Sequence, residues 1–250
     1  MRQPAIYLPH GGGPCFFMDW TMGPADTWRR SADWLRALPE SLPERPRAIL
    51  VVSAHWEEAR PSVTVGADRL LYDYSGFPAH TYELQWAAPP AHDLAAQLGS
   101  LVGAVPVERG FDHGVFVPLK VAWDEPDIPV AQLSLVRGLD PRLHLAMGQK
   151  LASLRDDGVL IVGSGMSFHN MRAFNQAEAL GWSKPFNAWL EQTCAEGPSG
   201  LLDWATAADA RLAHPREEHL LPLMVCATGT GRVDFRDEVM GAEVIALRFD

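Results

Sequence analysis

The chain has 250 residues, of which 47% are hydrophobic and 21% are charged, a composition typical of a globular protein that buries a full core. Its formal net charge of -10 argues against nucleic acid or an anionic membrane as a partner, because both attract basic surfaces. No apolar run is long enough to span a bilayer, and the first residues do not have the pattern of a signal peptide.

Hydrophobic patterning predicts strands and helices that alternate along the chain. In chain order the predicted elements are strand 5–10, helix 25–37, strand 47–56, short strand 62–65, helix 90–102, short strand 105–108, helix 115–123, strand 128–135, helix 141–154, strand 158–165, helices 182–194 and 217–225, and strand 242–249. This alternation predicts an α/β layered fold with a mainly parallel or mixed sheet, and the length makes one domain the default.

Three predicted strands lead into a histidine beside glycine or serine. His10 and His55 end the first two long strands, and His169 lies in the loop after strand 158–165. Because the carboxyl ends of parallel strands share one edge of a sheet, we expect these imidazoles to converge. Convergent neutral imidazoles are typical ligands of a divalent transition metal. The three glycines after His10 would let the backbone pass close to a bound group.

A fourth candidate histidine stands at the start of the predicted helix 217–225. His219 follows two glutamates, and this helix could place it at the same sheet edge. Either Glu217 or Glu218 could orient an imidazole through its carboxylate. For Glu217 we favour the ordinary role of a negative charge near a helix N-terminus.

The segment GFDHGVFVPL holds a fifth candidate, His113. Asp112 could cap the following helix, and His113 would then face either a cleft or the core. The aromatic-rich stretch 72–86 could wall a pocket for a flat ligand or form a surface hairpin. We expect the remaining four histidines to be structural or solvated: His80, His92, His144 and His214.

Other catalytic motifs are weak in this sequence. It has no phosphate-binding loop and no Gly-x-Gly-x-x-Gly opening a helix. The segment GSGMS matches the nucleophile elbow of serine hydrolases only loosely, so Ser164 is a poor candidate nucleophile.

Six short motifs occur in order along nearly the whole chain: LPHGGGP, VVSAHW, YDYSGFP, GFDHGVFVPL, GSGMSFHNMR and REEHLLPL. In order and spacing they resemble those of the class III extradiol ring-cleavage dioxygenases of the LigB type, and most closely the 4,5-DOPA extradiol dioxygenase branch. The resemblance implies a single catalytic domain over residues 1–250, with a central sheet between helical layers.

The resemblance also implies roles for individual residues. It places one metal ion, Fe(II) or Zn(II), on His10, His55 and His219. It makes His169 an acid–base residue or a further ligand, and it places His113 in the substrate pocket, where we count it among the catalytic residues.

The substrate is expected to be a catechol that reacts with O2 to give a ring-opened semialdehyde. We expect Gly12 in the glycine loop and Phe77 in the aromatic loop to contact this substrate. Many relatives carry one glycine followed by Ser or Ala where this chain has three, which leaves the identity of the catechol open. Arg172, three residues after His169, could pair with a carboxylate on the ring, which favours a DOPA-like or dihydroxyphenyl acid.

Two other functions compete with ring cleavage. A zinc hydrolase could use the same histidines, with His169 or Glu218 as the base. A non-enzymatic binding protein on the same fold would not need the histidines.

The cysteine pattern gives an indication of the cellular compartment. The sequence gives no indication of the oligomeric state. Cys15, Cys194 and Cys226 are far apart and show no disulfide framework, so we expect a cytoplasmic protein.

Overall fold

The computed structural model describes residues 1–66 and 69–250 and shows one eight-stranded sheet. In spatial order the strands are β4 (Val105–Pro106), β3 (Ser62–Thr64), β5 (Val130–Val136), β2 (Ala48–Glu58), β6 (Val159–Gly165), β1 (Ala5–Pro9), β8 (Ala242–Phe249) and β7 (Gly231–Val239). The four central strands β5, β2, β6 and β1 run parallel. Antiparallel pairs join β3 to β5, β8 to β1 and β7 to β8, so the sheet is mixed, as predicted.

Helices cover both faces of this sheet. In chain order they are α1 (Arg29–Ser41), α2 (His92–Val102), α3 (His113–Ala122), α4 (Pro141–Leu151), α5 (Ala179–Glu196), α6 (Ala210–Ala213) and α7 (Leu221–Cys226). Helix α4 begins with a proline after Asp140, whose carboxylate accepts a hydrogen bond from the backbone N–H of Arg142. Within residues 1–66 and 69–250, no helix combines the length and hydropathy of a membrane span.

Successive side chains of the central strands point alternately into two separate hydrophobic cores, one on each face of the sheet. Tyr7 and Leu50 point into the core beneath α4, α5 and α7, whereas Ile6 and Ile49 point into the core beneath α1 and α3. Because both faces are covered, every residue of β1, β5 and β6 is buried. The predicted arrangement of a central sheet between helical layers is therefore confirmed.

The strand β7 was not predicted from the sequence. Its residues show no regular alternation of burial, since 233–236 are all partly exposed, and they include Arg232, Asp234 and Arg236. Pairing with β8 is what makes this polar stretch a strand, and helices α1 and α5 contact it from the two faces of the sheet. The predicted helix 217–225 also begins later, at Leu221.

Register brings the carboxyl ends of β1 and β6 level with Ser53 of β2, a strand that continues past His55 to Glu58. Pro9 of β1 lies opposite Gly165 of β6, and Ser53 of β2 lies opposite Ser164. His10 therefore leaves the sheet beside the end of β6, and its backbone N–H donates to the Gly165 carbonyl at 3.1 Å. The site described below lies at this edge.

We predict that Gly165→Ala destabilises the protein. A Cβ at Gly165 would clash with the carbonyl oxygen of His219, and overpacking of this kind costs about 1–3 kcal/mol in free energy of unfolding. Gly181→Ala in α5 is the matched control, because a Cβ there meets no atom within 4 Å and alanine favours a helix by up to about 1 kcal/mol. Urea unfolding of both variants measures the difference. Equal stabilities would show that the His219 segment does not pack tightly on β6.

Candidate metal centre

Three histidines from distant parts of the chain meet at the edge formed by β1, β2 and β6. His10, His55 and His219 each offer a ring nitrogen, and these three nitrogens lie within 4.8 Å of one another. The Nε2 atoms of His10 and His55 are only 3.1 Å apart. Such a set of inward-facing imidazoles can hold one divalent transition metal ion.

The ring of His10 is fixed by a serine of β6. Nδ1 of His10 lies 3.0 Å from Oγ of Ser164, and this hydroxyl in turn donates to the carbonyl of Gly114. Because the hydroxyl hydrogen is used in that bond, Ser164 accepts from Nδ1–H of His10. The Nε2 lone pair of His10 is then directed at the cluster. Ser164 is fully buried, which is unlike an exposed nucleophile.

His219 is held through its backbone and its neighbouring carboxylate. Its carbonyl accepts hydrogen bonds from the Tyr7 hydroxyl at 2.6 Å and from the Met166 backbone N–H at 3.2 Å. Its Nδ1 lies 3.0 Å from Oε1 of Glu218, which is the orienting contact proposed from the sequence. Nε2 of His219 is buried and has no hydrogen-bond partner among the described residues.

His55 sits at an irregularity of β2, where the pairing register with β5 shifts. Its backbone N–H donates to Oγ of Ser53 at 3.2 Å, and its carbonyl accepts from Arg109 at 3.2 Å. Arg109 is itself paired with the fully buried Asp112 at 2.9 Å, and Asp112 also accepts from Ser53 at 2.7 Å. This network positions the backbone that carries the His55 ring.

Burial keeps the three imidazoles neutral. Burial and the neighbouring imidazoles hold the pKa values of His10 and His219 well below the ordinary histidine value. The same two causes, burial first and then His113, lower the pKa of His55 to about 4. All three rings therefore offer lone pairs at neutral pH, as metal binding requires.

His169 lies against the cluster on one side. Its ring stacks on that of His219, with centroids 3.3 Å apart, and its Nδ1 lies 3.3 Å from Oε1 of Glu218. Burial alone would raise the pKa of Glu218, but the hydrogen bond from His169 and the charge of Arg216 bring it below its ordinary value. His169, Glu218 and His219 also form a convergent set of potential ligands, so the geometry accommodates either role expected for His169. Glu217 instead pairs with Arg211 at 2.7 Å.

His113 lies on the other side, at the first residue of α3. Its ring centroid is 4.0 Å from that of His55. The expectation that Asp112 caps this helix was wrong, because its side chain makes no capping bond and is occupied by Ser53, Arg109 and Gln132. Asp73 accepts the hydrogen bond from the backbone N–H of His113 instead, at 3.0 Å.

A cavity of about 420 Å³ opens onto the cluster. Its lining includes all five candidate histidines, the glycine loop and the aromatic loop, so stretch 72–86 walls a pocket rather than forming a detached hairpin. Gly12 and Phe77, expected to contact substrate, both line it. Gly13 has a φ of +56°, and a Cβ there would lie 2.9 Å from the Phe77 ring, so the close approach of the two loops depends on this glycine.

Arg172 is not part of that lining. It is exposed and lines a neighbouring cavity of about 650 Å³, whose wall also includes His169 and Met171. The neighbouring cavity also contains Arg211 and Arg216, which are paired with glutamates. Arg172 forms no ion pair with any residue in 1–66 and 69–250.

The other histidines make contacts away from the cluster. His144 and His214 are fully buried, and His214 donates from Nε2 to the Ser167 carbonyl at 3.0 Å. His144 accepts from the Val136 backbone N–H, and His80 lies 3.0 Å from the carbonyl of Phe17.

Sequence reasoning did not identify Asp73 as part of the site. Its carboxylate lies 2.8 Å from Nδ1 of His113 and 3.7 Å from Nδ1 of His55. Burial alone would raise the pKa of Asp73, but the hydrogen bond from His113 outweighs it and lowers the pKa. The one available signal was an acidic residue between two tyrosines, Tyr72 and Tyr74.

Comparison with known proteins places the chain in a family. The model of the family "Catalytic LigB subunit of aromatic ring-opening dioxygenase" matches residues 4–246. A 4,5-DOPA dioxygenase extradiol from Escherichia coli K12 is 33% identical over 98% of this chain and 92% of its own length. The protein of that name from Beta vulgaris is 38% identical over 75% of each chain.

Two further similarities extend over the full fold. A dioxygenase from Hapsidospora irregularis is 34% identical over 96% of this chain and 83% of its own length. The crystal structure of an uncharacterized protein from Escherichia coli K12 superposes with a TM-score of 0.79 at 28% identity, covering all of both chains. The family match, these identities and the histidine cluster agree, and the chain therefore belongs to the LigB family and is an extradiol aromatic ring-opening dioxygenase.

Proposed function

We propose that this enzyme cleaves a catechol that carries one carboxylate side chain, with O2 as co-substrate and one Fe(II) bound by His10, His55 and His219. Ring opening would take place beside the two hydroxyl groups and yield a semialdehyde. The relatives named as 4,5-DOPA dioxygenases support a substrate of this class.

The observation that carries the proposal is the unsatisfied Nε2 of His219. This atom is buried without a partner, and the neighbouring Nε2 atoms of His10 and His55 approach each other at 3.1 Å. Nδ1 of His10 carries its hydrogen, so its Nε2 presents a lone pair to the cluster. A cation between the three rings would bind this nitrogen and the unpartnered Nε2 of His219, so the donor set fits a bound metal ion.

The chemistry of the family favours iron over zinc. When bound, Fe(II) supplies a redox-active centre at which a catechol and O2 can react, whereas Zn(II) has no accessible redox change. Three imidazoles leave positions open for substrate oxygen atoms.

The residues around the cluster would bind and orient the ring and handle its protons. Tyr74, Phe77 and Trp28 line the cavity and give a flat substrate an apolar wall that excludes water. Nδ1 of His169 faces the Glu218 carboxylate, which leaves its Nε2 to take a phenolic proton and return it to the departing oxygen.

The neighbouring cavity offers a place for the acidic substituent. His169 and Met171 line both cavities, so a side chain on a bound ring could reach past them. Arg172 is the arginine in that cavity without a carboxylate partner among the described residues, and it suits a bidentate contact with a substrate carboxylate.

Loading the protein with Fe(II) under anaerobic conditions and then adding O2 tests the function directly. A panel of catechols with and without a carboxylate substituent should show O2 uptake and the yellow absorbance of a ring-opened semialdehyde. Protein loaded with Zn(II) is the control and should consume no O2. Absence of uptake with every catechol would overturn the proposal.

His10→Ala, His55→Ala and His219→Ala should each lose the bound metal ion, because each removes one of three ligands. Metal analysis of the purified variants, with circular dichroism to check folding, measures this. His92→Ala is the matched control, since His92 is exposed on α2 and should leave metal content unchanged. Full metal occupancy in any of the three variants would remove that histidine from the ligand set.

His169→Ala should keep the metal and lower turnover. General acid–base groups contribute a factor of about 10² to 10⁴ in rate, and kcat should fall within that range while catechol still binds. Steady-state kinetics and metal analysis of the same sample separate the two roles of His169. Loss of metal as complete as in His55→Ala would make it a ligand instead.

Arg172→Ala should reduce the preference for acidic catechols. We expect kcat/KM for a dihydroxyphenyl acid to fall, with little change for unsubstituted catechol, because only the acid can pair with the guanidinium. Arg142→Ala, on the outer side of α4, serves as the control. An unchanged ratio of the two kcat/KM values would show that Arg172 does not select the substrate.

A further inference from the structure

Asp73 makes three contacts at once on the side of the cluster opposite His169. Its Oδ1 lies 3.0 Å from the backbone N–H and 2.8 Å from Nδ1 of His113, and its Oδ2 lies 3.7 Å from Nδ1 of His55. One carboxylate therefore touches both a proposed metal ligand and the histidine beside it.

The loop that carries Asp73 is tied down on either side of it. The Tyr72 hydroxyl donates to the carbonyl of Leu84, and the Tyr74 hydroxyl donates to the carbonyl of Thr81, both at 2.5 Å. Both tyrosine rings also pack against Phe116 of α3, the helix that begins at His113. Asp73 and His113 thus belong to two elements that are packed together, which fixes their separation.

The contact with Asp73 determines which nitrogen of His113 carries a hydrogen. A carboxylate has only acceptor atoms, so Nδ1 of His113 must be the donor in the 2.8 Å contact. In the neutral ring, Nε2 then holds the lone pair. His113 lines the cavity, and its Nε2 has no hydrogen-bond partner among the described residues.

Glu218 has the same relation to the opposite side of the cluster. It contacts Nδ1 of the proposed ligand His219 at 3.0 Å and Nδ1 of His169 at 3.3 Å. The cluster is therefore flanked by two carboxylate–histidine pairs, each linked to a different proposed ligand. Asp73 contacts Nδ1 of His113 in the same way that Glu218 contacts Nδ1 of His169.

We propose that Asp73 is a positioning residue that holds His113 with its Nε2 lone pair facing the bound catechol, so that His113 accepts the hydrogen bond, and then the proton, of one phenolic hydroxyl. This inference rests on the proposed function. In the step, the phenolic O–H bond breaks and the N–H bond at Nε2 of His113 forms, giving a phenolate and an imidazolium beside the Asp73 carboxylate. No electrons are transferred.

The position of the hydrogen on His113 can be measured without any turnover. Histidine ¹⁵N chemical shifts of the Zn(II)-loaded protein, assigned by comparison with His113→Gln, report which ring nitrogen is protonated. We expect Nδ1–H with an unprotonated Nε2 at pH 7.5. A hydrogen on Nε2 would overturn the proposal, whether or not the enzyme opens catechols.

Two substitutions separate the acceptor atom from the charge. Asp73→Ala removes the acceptor, so Nε2–H of His113 should become populated, and kcat should fall by about 10²-fold, the lower end for a general base. Asp73→Asn retains an oxygen in the position of Oδ1 and should restore Nδ1–H and recover most of kcat. The KM for catechol should change little in either variant. Asp93→Ala, exposed on α2, is the matched control.

A double-mutant cycle decides whether Asp73 acts through His113. If it does, Asp73→Ala should reduce kcat in the parent enzyme but add no further loss in the His113→Gln background. An equal loss in both backgrounds would show that Asp73 merely supports the loop and would overturn the proposal. If the parent has no activity, the proposed function has failed, and the ¹⁵N shifts of the parent and of Asp73→Ala alone decide whether Asp73 positions His113; equal shifts in the two proteins would overturn the proposal.

Discussion

The structure depends on holding three neutral imidazoles with their lone pairs directed at one point. The Nε2 of His219 is buried without a partner among the described residues, which is unfavourable in the absence of a cation. The packed surroundings must therefore resist relaxation of the three rings. Each ring is fixed by a bond at its other nitrogen or through its backbone, rather than by contact among the imidazoles themselves.

The sheet supplies most of this rigidity. Parallel pairing of β1, β6 and β2 sets His10 beside Gly165 and brings His55 to the same edge. The hydroxyl of Tyr7 reaches from β1 to the carbonyl of His219, which ties the segment before α7 to the same three strands. The buried Asp112 pairs with Arg109, and Arg109 donates to the carbonyl of His55, which fixes the backbone of that residue. Buried polar groups whose partners are satisfied in this way give a unique arrangement.

The sequence was most informative where a periodic pattern ended in a distinctive residue. Buried strands could be recognised from their apolar runs, and the shared edge of a parallel sheet explains why His10 and His55 could be expected to meet. Asp73 could not be found in this way, because its contacts arise from a loop whose path has no periodic signal. Asp112 was wrongly predicted to cap α3 through its side chain. The carboxylate is instead used in a buried ion pair with Arg109, 3 residues away, which only the folded chain shows. The strand β7 was missed because its charged residues and a register shift between Val233 and Phe235 leave no alternating apolar pattern in the sequence.

Rigid ligand placement has a consequence for metal selection. Among divalent ions, sites built from nitrogen ligands bind Cu(II) and Zn(II) more tightly than Fe(II). Ser164 holds the ring of His10 and Glu218 holds the ring of His219 at this edge of the sheet. If these imidazoles hold the metal ion as proposed, its identity would depend on the metals supplied during folding, and protein loaded with zinc would be folded yet unable to react with O2.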